Sequence, residues 1–283
     1  MNNTKITQED LLYIWHPCTQ MKDHEIYPLI PVKKGEGIYL YDFEDNRFLD
    51  GISSWWVNLF GHCNPYISQK IKEQLETLEH IIFAGFTHES AIKLSKRIIN
   101  LMPPSLKKVF FADNGSSAVE VALKMSFHYY KNRGEIRPYF VSLQNSYHGE
   151  TLGALSVGDV SLNKDTYNEI LMKNFTITKP TQLDKGSYDK SLEEFENLLY
   201  LSGSMISAII VEPLLQCAGG MNMYEGDYLK KLFDIAKKYN IHFLCDEIAT
   251  GFGRCGTMFA FEESNISPDF VMLSKGLTGG YLP

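Results

Sequence analysis

FLCDEIATGFGRCG (243–256) and PDFVMLSKGLTGG (268–280) decide how this chain is read. Each contains a short apolar run, 241–245 and 270–273, of the length and bulk expected of a buried strand. A charged residue follows each run. Asp246 comes directly after Cys245, and Lys275 comes two positions after Leu273. A lysine just past a strand, with Gly276, Gly279 and Gly280 behind it, is poorly placed to pack in a core. It is well placed to reach into a cleft at the carboxyl edge of a sheet. An ordinary strand-end aspartate and a surface lysine would read the same way, so the rest of the chain has to separate the two cases.

Working outward, strands and helices alternate. Apolar runs at 107–112, 138–143 and 206–213 read as strands. Segments 117–130, 189–203 and 226–239 read as helices, the last with Leu229, Leu232, Phe233, Ala236 and Tyr239 on one face. GETLGALSVG (149–158) reads as a short helix, and 158–185 is a polar crossing with a hint of strand at 175–177. Alternation of this kind predicts an α/β fold with a mainly parallel sheet and helices on both faces. Upstream, 1–36 reads as irregular and 38–49 as a hairpin turning at Glu44–Asn46. The pair Trp55–Trp56 reads as extended, with its rings on opposite sides. Helices are expected from Asn64-Pro65 to about His80 and from about Glu89 to Leu101.

Composition narrows the function classes. The 283 residues carry a net charge of −7 and no long basic run, which argues against a nucleic-acid partner. Five cysteines without a CxxC pair indicate neither a disulfide framework nor a zinc site. The start, MNNTKITQEDLLYIWHP, is not built like a secretory signal. No apolar run approaches the roughly 18 residues that span a bilayer, so a cytoplasmic protein away from the membrane is expected.

Ligands of open α/β sheets bind beyond the carboxyl ends of the strands. After 107–112 comes DNGSSAVE, where Gly115 and Ser116 open a helix whose free N–H groups suit an anion, or are simply capped. After 138–143 comes QNSYHGET, with Tyr147 and His148 able to face a flat ring or merely to plug a loop. After 206–213 comes LLQCAGG, where Gln216 suits a phenolate-like oxygen. Glu212, at the end of an apolar strand, needs a partner if buried. With Asp246 and Lys275, the set matches a phosphorylated planar heterocycle bearing a carbonyl. Pyridoxal 5'-phosphate (PLP) is such a cofactor: a lysine holds its aldehyde and a carboxylate keeps its ring nitrogen protonated.

DEIATGFGRCG followed by PDFVMLSKGLTGG resembles the signature of the class III PLP-dependent aminotransferases, which have fold type I. The likeness runs from about Ile14 to Gly280 and includes IWHPCTQM, DGISSWWVNLFGHCNP, FAGFTHESAI, ADNGSSAVEVALKM, YHGETLGALSV and EPLLQCAGGMNMY. The resemblance implies Lys275 as the Schiff-base lysine and Asp246 as partner of the pyridinium nitrogen. It implies Gly115 and Ser116 at the phosphate, Tyr147 beside cofactor and substrate, and Gln216 near the phenolic oxygen. Trp55 would contact substrate, and Cys18 would border the substrate where family members carry Tyr. Cys255 replaces a usual Thr. The finer motifs, WHPxTQM and SSWW, imply S-adenosyl-L-methionine as amino donor and 8-amino-7-oxononanoate as acceptor, within biotin biosynthesis, by a homodimer. Another ω-aminotransferase acting on ornithine or 4-aminobutyrate, an aminomutase, or an inactive piece of the fold are the alternatives. The resemblance also implies that 1–57 belongs to a small domain and 58–283 to a PLP-binding domain incomplete at its C-terminal end. The family's C-terminal small domain would then lie outside the chain, and this polypeptide alone would be poorly active.

Overall fold

The computed structural model describes residues 2–160 and 164–282. The chain divides into two compact units, one through Phe86 and one from Thr87 onward. That division lies well past residue 57, where the sequence reading ended the first segment. One physical reason is that Gly37 and His62 exchange backbone hydrogen bonds of 3.2 and 2.7 Å, tying the residues after the tryptophan pair back to the first unit.

In the first unit, Asn3–Tyr13 is a helix, where an irregular stretch was expected. The Asn2 side chain caps it by accepting from Lys5 N at 3.0 Å. None of its residues is buried, so no apolar stripe announced it. The expected hairpin is a three-stranded antiparallel meander, β1 (Val32–Glu36), β2 (Tyr39–Asp42) and β3 (Arg47–Leu49). Buried Asp42 closes its turn by accepting from the backbone of Glu44 and Asn46. The helix Pro65–Leu75, capped by Asn64, stops short of His80.

The tryptophan pair is not extended. Ser53, Ser54, Trp55 and Trp56 have φ of 52°, 45°, 66° and 69°, one turn of left-handed helix in four non-glycine residues. Such a turn costs roughly 1–2 kcal/mol per residue, so neighbours must hold it. Asp50 does so: its carboxylate accepts from Ser54 N (2.9 Å), Ser54 Oγ (2.7 Å) and His62 Nε2 (2.9 Å). The indoles meet edge to face at 6.4 Å, with Trp55 exposed.

The second unit holds a five-stranded parallel sheet in the order β10-β9-β6-β4-β5. Its strands are β4 (Tyr139–Leu143), β5 (Phe175–Ile177), β6 (Ile206–Val211), β9 (His242–Asp246) and β10 (Phe270–Met272). A small hairpin, β7 (Leu215–Gln216) and β8 (Asn222–Met223), follows β6. Period-two alternation splits the apolar residues between two layers. Val141, Leu143, Ile209, Val211 and Phe243 pack against Phe195, Leu199, Leu229 and Leu232 of the helices Gly186–Ser202 and Gly226–Lys238. Phe140, Ala208, Ile210, Leu244 and Met272 face the other way, onto Val119, Ala122 and Leu123 of the helix Gly115–Lys131. Every residue of β6 is buried, as a central parallel strand requires. Truncating Ile209 to Ala there would cost about 2–5 kcal/mol.

The segment 107–112, expected to be a strand, joins no ladder among the described residues. It borders a groove of about 560 Å³ that is also lined by β10, with Phe110 exposed. Extended apolar sequence alone does not make a strand when no backbone edge meets it.

Candidate active site

Five segments converge at the carboxyl edge of the parallel sheet, and glycines mark where they touch. A Cβ on Gly115 would lie 3.0 Å from Ile248 Cδ1 and 3.4 Å from Ser274 Cβ. The start of the helix Gly115–Lys131 therefore abuts the residues that follow Asp246 and precede Lys275. A Cβ on Gly149 would lie 2.1 Å from Ser116 Oγ, and one on Gly219 2.3 Å from the Asn145 carbonyl oxygen. The loop after β4 is thus wedged between the helix start on one side and the loop after β6 on the other.

Asn114 caps the helix by accepting from Ser117 N at 2.9 Å. The first-turn N–H groups of Gly115 and Ser116 have no acceptor within the helix, and the helix dipole favours an anion there. Ser116 Oγ accepts from Glu150 N at 3.3 Å and keeps its own proton to donate.

Asp246 ends β9 almost fully buried. One carboxylate oxygen accepts from Ile248 N at 3.1 Å. The other receives the Nδ1 proton of His148 at 2.7 Å, since a carboxylate can only accept. His148 is buried as well, and its Nε2 has no hydrogen-bond partner. Each Asp246 oxygen retains capacity for a second donor. Lys275 opens the short turn Lys275–Leu277, right after β10, with φ of 40°. Burial pulls its amine below the usual lysine range. The charge of Asp246 opposes that pull. A lysine so placed more readily offers the neutral, nucleophilic amine. Burial also pushes the nearby Cys217 thiol up to about 12, with the charge of Glu212 adding to it, so this cysteine is inert.

Glu212, directly after β6, is 4% exposed. Its Oε2 accepts from Tyr147 N at 3.0 Å. Burial first, then the charge of Asp246, raise its proton affinity well above that of an ordinary glutamate. Glu247, next to Asp246, is wholly buried and is pushed to about 7 by burial, against hydrogen bonds from Thr250 Oγ1 (2.7 Å) and Phe261 N (2.9 Å). Glu247 holds the glycine-rich loop 251–256 to the end of β9.

Gly115, Ser116, Tyr147, Asp246 and Lys275 are therefore gathered at one sheet edge. Gln216 reaches that edge too, but its amide is engaged at both ends. Nε2 donates to the Gln144 carbonyl at 2.9 Å and Oε1 accepts from Asn222 Nδ2 at 2.8 Å. It staples the loops after β4 and β6, and one N–H is left for any ligand oxygen. Trp55 and Cys18 belong to the first unit, where Trp55 sits in the left-handed turn and Cys18 is exposed with φ of 55°. His148 and Glu212 stand out in the sequence as a loop histidine and a strand-end acid, but their contacts with Asp246 and Tyr147 N have no local signal. Among the described residues no cluster of His, Cys, Asp or Glu suits a metal ion, and no helix is long and apolar enough to cross a membrane.

A helix start suited to an anion and a buried amine share one edge of a parallel α/β sheet, and comparison with known proteins gives the chain a family. The aminotransferase class-III model matches residues 20–283, and the chain belongs to that family. It is 55% identical, over 97% of its length and 62% of the relative's, to an adenosylmethionine-8-amino-7-oxononanoate aminotransferase from Helicobacter pylori. A crystal structure of the enzyme of that name from Methanocaldococcus jannaschii superposes with a TM-score of 0.93 at 36% identity, covering all of this chain and 64% of that one. An omega transaminase from Pseudomonas jessenii, solved in complex with PMP, superposes with a TM-score of 0.93 at 28% identity over 98% of this chain and 64% of that one. The chain thus spans a little under two thirds of the length of the relatives it matches.

Proposed function

We propose that this chain carries the cofactor site of a PLP-dependent aminotransferase that moves the amine of S-adenosyl-L-methionine onto 8-amino-7-oxononanoate, giving 7,8-diaminononanoate in cytoplasmic biotin biosynthesis. The observation that carries the reading is the buried chain His148–Asp246 set beside an amine, Lys275, whose proton affinity burial lowers. The 55% identity to the Helicobacter pylori enzyme supports the substrate pair.

The residues fit the cofactor. The helix-start amides of Gly115 and Ser116 suit its phosphate, and the two close glycine approaches, at Gly115 and Gly149, leave backbone where a side chain would stand. The spare capacity of Asp246 suits a ring N–H, and the unpartnered Nε2 of His148 is a buried polar atom with hydrogen-bonding capacity to spare. When bound, PLP supplies an electron sink for a carbanion. This chain's residues do the rest. Lys275 Nζ would hold the cofactor through its carbonyl carbon, the carbonyl oxygen leaving as water, and when free would serve as the base for the proton on the amine-bearing carbon of the substrate. Asp246 keeps the ring nitrogen's proton in place, and His148 holds Asp246 in register by donating to one of its oxygens. Tyr147 would stand beside the cofactor, and Trp55 and Cys18 are candidates for substrate contact by likeness to the family alone. The exposed run Leu12, Tyr13, Ile14 and Trp15 offers apolar surface for a second copy, which supports a homodimer.

The test uses the intact protein with PLP and a panel of amino donors. Borohydride reduction should fix PLP on Lys275, and Lys275→Ala should abolish both that attachment and turnover. Turnover with ornithine and none with S-adenosyl-L-methionine would replace the proposed substrate pair by another ω-amine. PLP still fixed by borohydride at this site in Lys275→Ala would remove the lysine assignment.

A further inference from the structure

The transamination chemistry gives buried Glu212 no task. Glu212 is an acid on the central strand's exit, where an apolar residue would pack at lower cost. Its surroundings show what it holds. Oε2 accepts from Tyr147 N at 3.0 Å, across 65 residues of sequence. A second backbone donor, the amide of Cys217, also reaches the carboxyl. The loop after β4 and the loop after β6 therefore hang on one side chain. The neighbouring residue His148 is held in the same manner by Asp246, so residues 147 and 148 are fixed from two adjacent strand ends. The close approach of Gly219 to the Asn145 carbonyl, and the bond from Gln216 Nε2 to the Gln144 carbonyl, show the two loops locked along their length.

We propose that Glu212 is a positioning residue for cofactor binding: by accepting from Tyr147 N and from the loop that follows it, its carboxyl sets where the Tyr147 ring stands and so how firmly a phosphorylated aromatic cofactor is held. The proposal rests on the PLP reading above. It is a hydrogen-bond acceptor's role and does not need a negative charge. Glutamine keeps an acceptor oxygen at the same reach, and methionine fills the same volume with none.

The experiment compares wild type, Glu212→Gln and Glu212→Met in the intact protein. Three quantities are measured: the PLP dissociation constant by titration of the apoprotein, the circular dichroism of the bound cofactor, and hydrogen exchange at the Tyr147 amide in the apoprotein. Glu212→Met should bind PLP at least about tenfold more weakly, the effect of losing the bond that fixes Tyr147. It should also weaken the cofactor's dichroism and lose protection at Tyr147 N. Glu212→Gln should stay within about twofold of wild type in affinity. Equal behaviour of the two variants, or wild-type affinity in Glu212→Met, overturns the proposal. The wild-type apoprotein supplies a reading that requires no variant: a Tyr147 amide exchanging as fast as open loop amides overturns it outright. Failure of wild type to bind PLP would overturn the cofactor reading instead, while Tyr147 exchange still reports on the clamp.

Discussion

Replacing His148 by Ala tests the centre of the site without touching any group that reacts. The imidazole is fully buried and the Asp246 side chain is 4% exposed, with 2.7 Å between Nδ1 and the carboxylate oxygen. Removing one member of such a pair leaves a buried carboxylate with the Ile248 amide as its remaining hydrogen bond, and losses of this kind run to about 3 kcal/mol or more. For a unit of this size, 1 kcal/mol moves the melting temperature by roughly 2–4 °C, so His148→Ala should lower it by about 6–12 °C. The same substitution made on top of Asp246→Asn should cost only about 1 kcal/mol, because a neutral acceptor forms the weaker, neutral bond. The double-mutant cycle should then return a coupling of about 2 kcal/mol. Urea and thermal unfolding of the four apoproteins measure it. A coupling below about 0.5 kcal/mol would refute the pair as the support of Asp246.

Two further outcomes follow from other contacts. Glu247 keeps its proton in the folded chain up to about pH 7 and loses it near 4.5 when unfolded, so raising the pH through that window favours unfolding and the slope ends above 7. Relative to Glu247→Gln, wild type should lose about 3 kcal/mol of stability between those limits, read from urea midpoints against pH; parallel profiles would contradict this. Gly149→Ala places a methyl on Ser116 in a backbone with φ of 126°, and should cost about 2–5 kcal/mol and loosen PLP binding, measured by melting and by apoprotein titration.

The sheet was legible because its strands are mostly apolar runs, the pattern of strands buried on both faces, and even Phe175–Ile177 proved to be a strand. Where burial was not the cause, the reading failed. Asn3–Tyr13 buries nothing and so has no stripe to read. Residues 107–112 have a strand's composition and no ladder. The turn at 53–56 adopts a hand that L-residues avoid, held by the nearby carboxylate of Asp50, which is itself bonded to His62. The site divides the same way. Asp246 and Lys275 stood out as charged residues just past apolar strands. The contacts that hold them and their neighbours, His148 to Asp246 across 98 residues and Glu212 to Tyr147 across 65, have no expression in local spacing.

The pairing of β9 with β10 sets Asp246 opposite Met272, and Glu247 N donates to the Met272 carbonyl at 3.0 Å. Parallel pairing has a parity. A slip of one residue turns every side chain of a strand to the opposite face. The distance from acid to amine is therefore stored in a ladder register and not in the loops that carry them. Strands that meet in this sheet come from sequence positions tens of residues apart, so their pairing is slow and non-local. A folding intermediate with β9 and β10 out of register would have a packed sheet and no site. Return of PLP binding during refolding should accordingly lag the return of secondary structure, and the lag times the last strand to find its place.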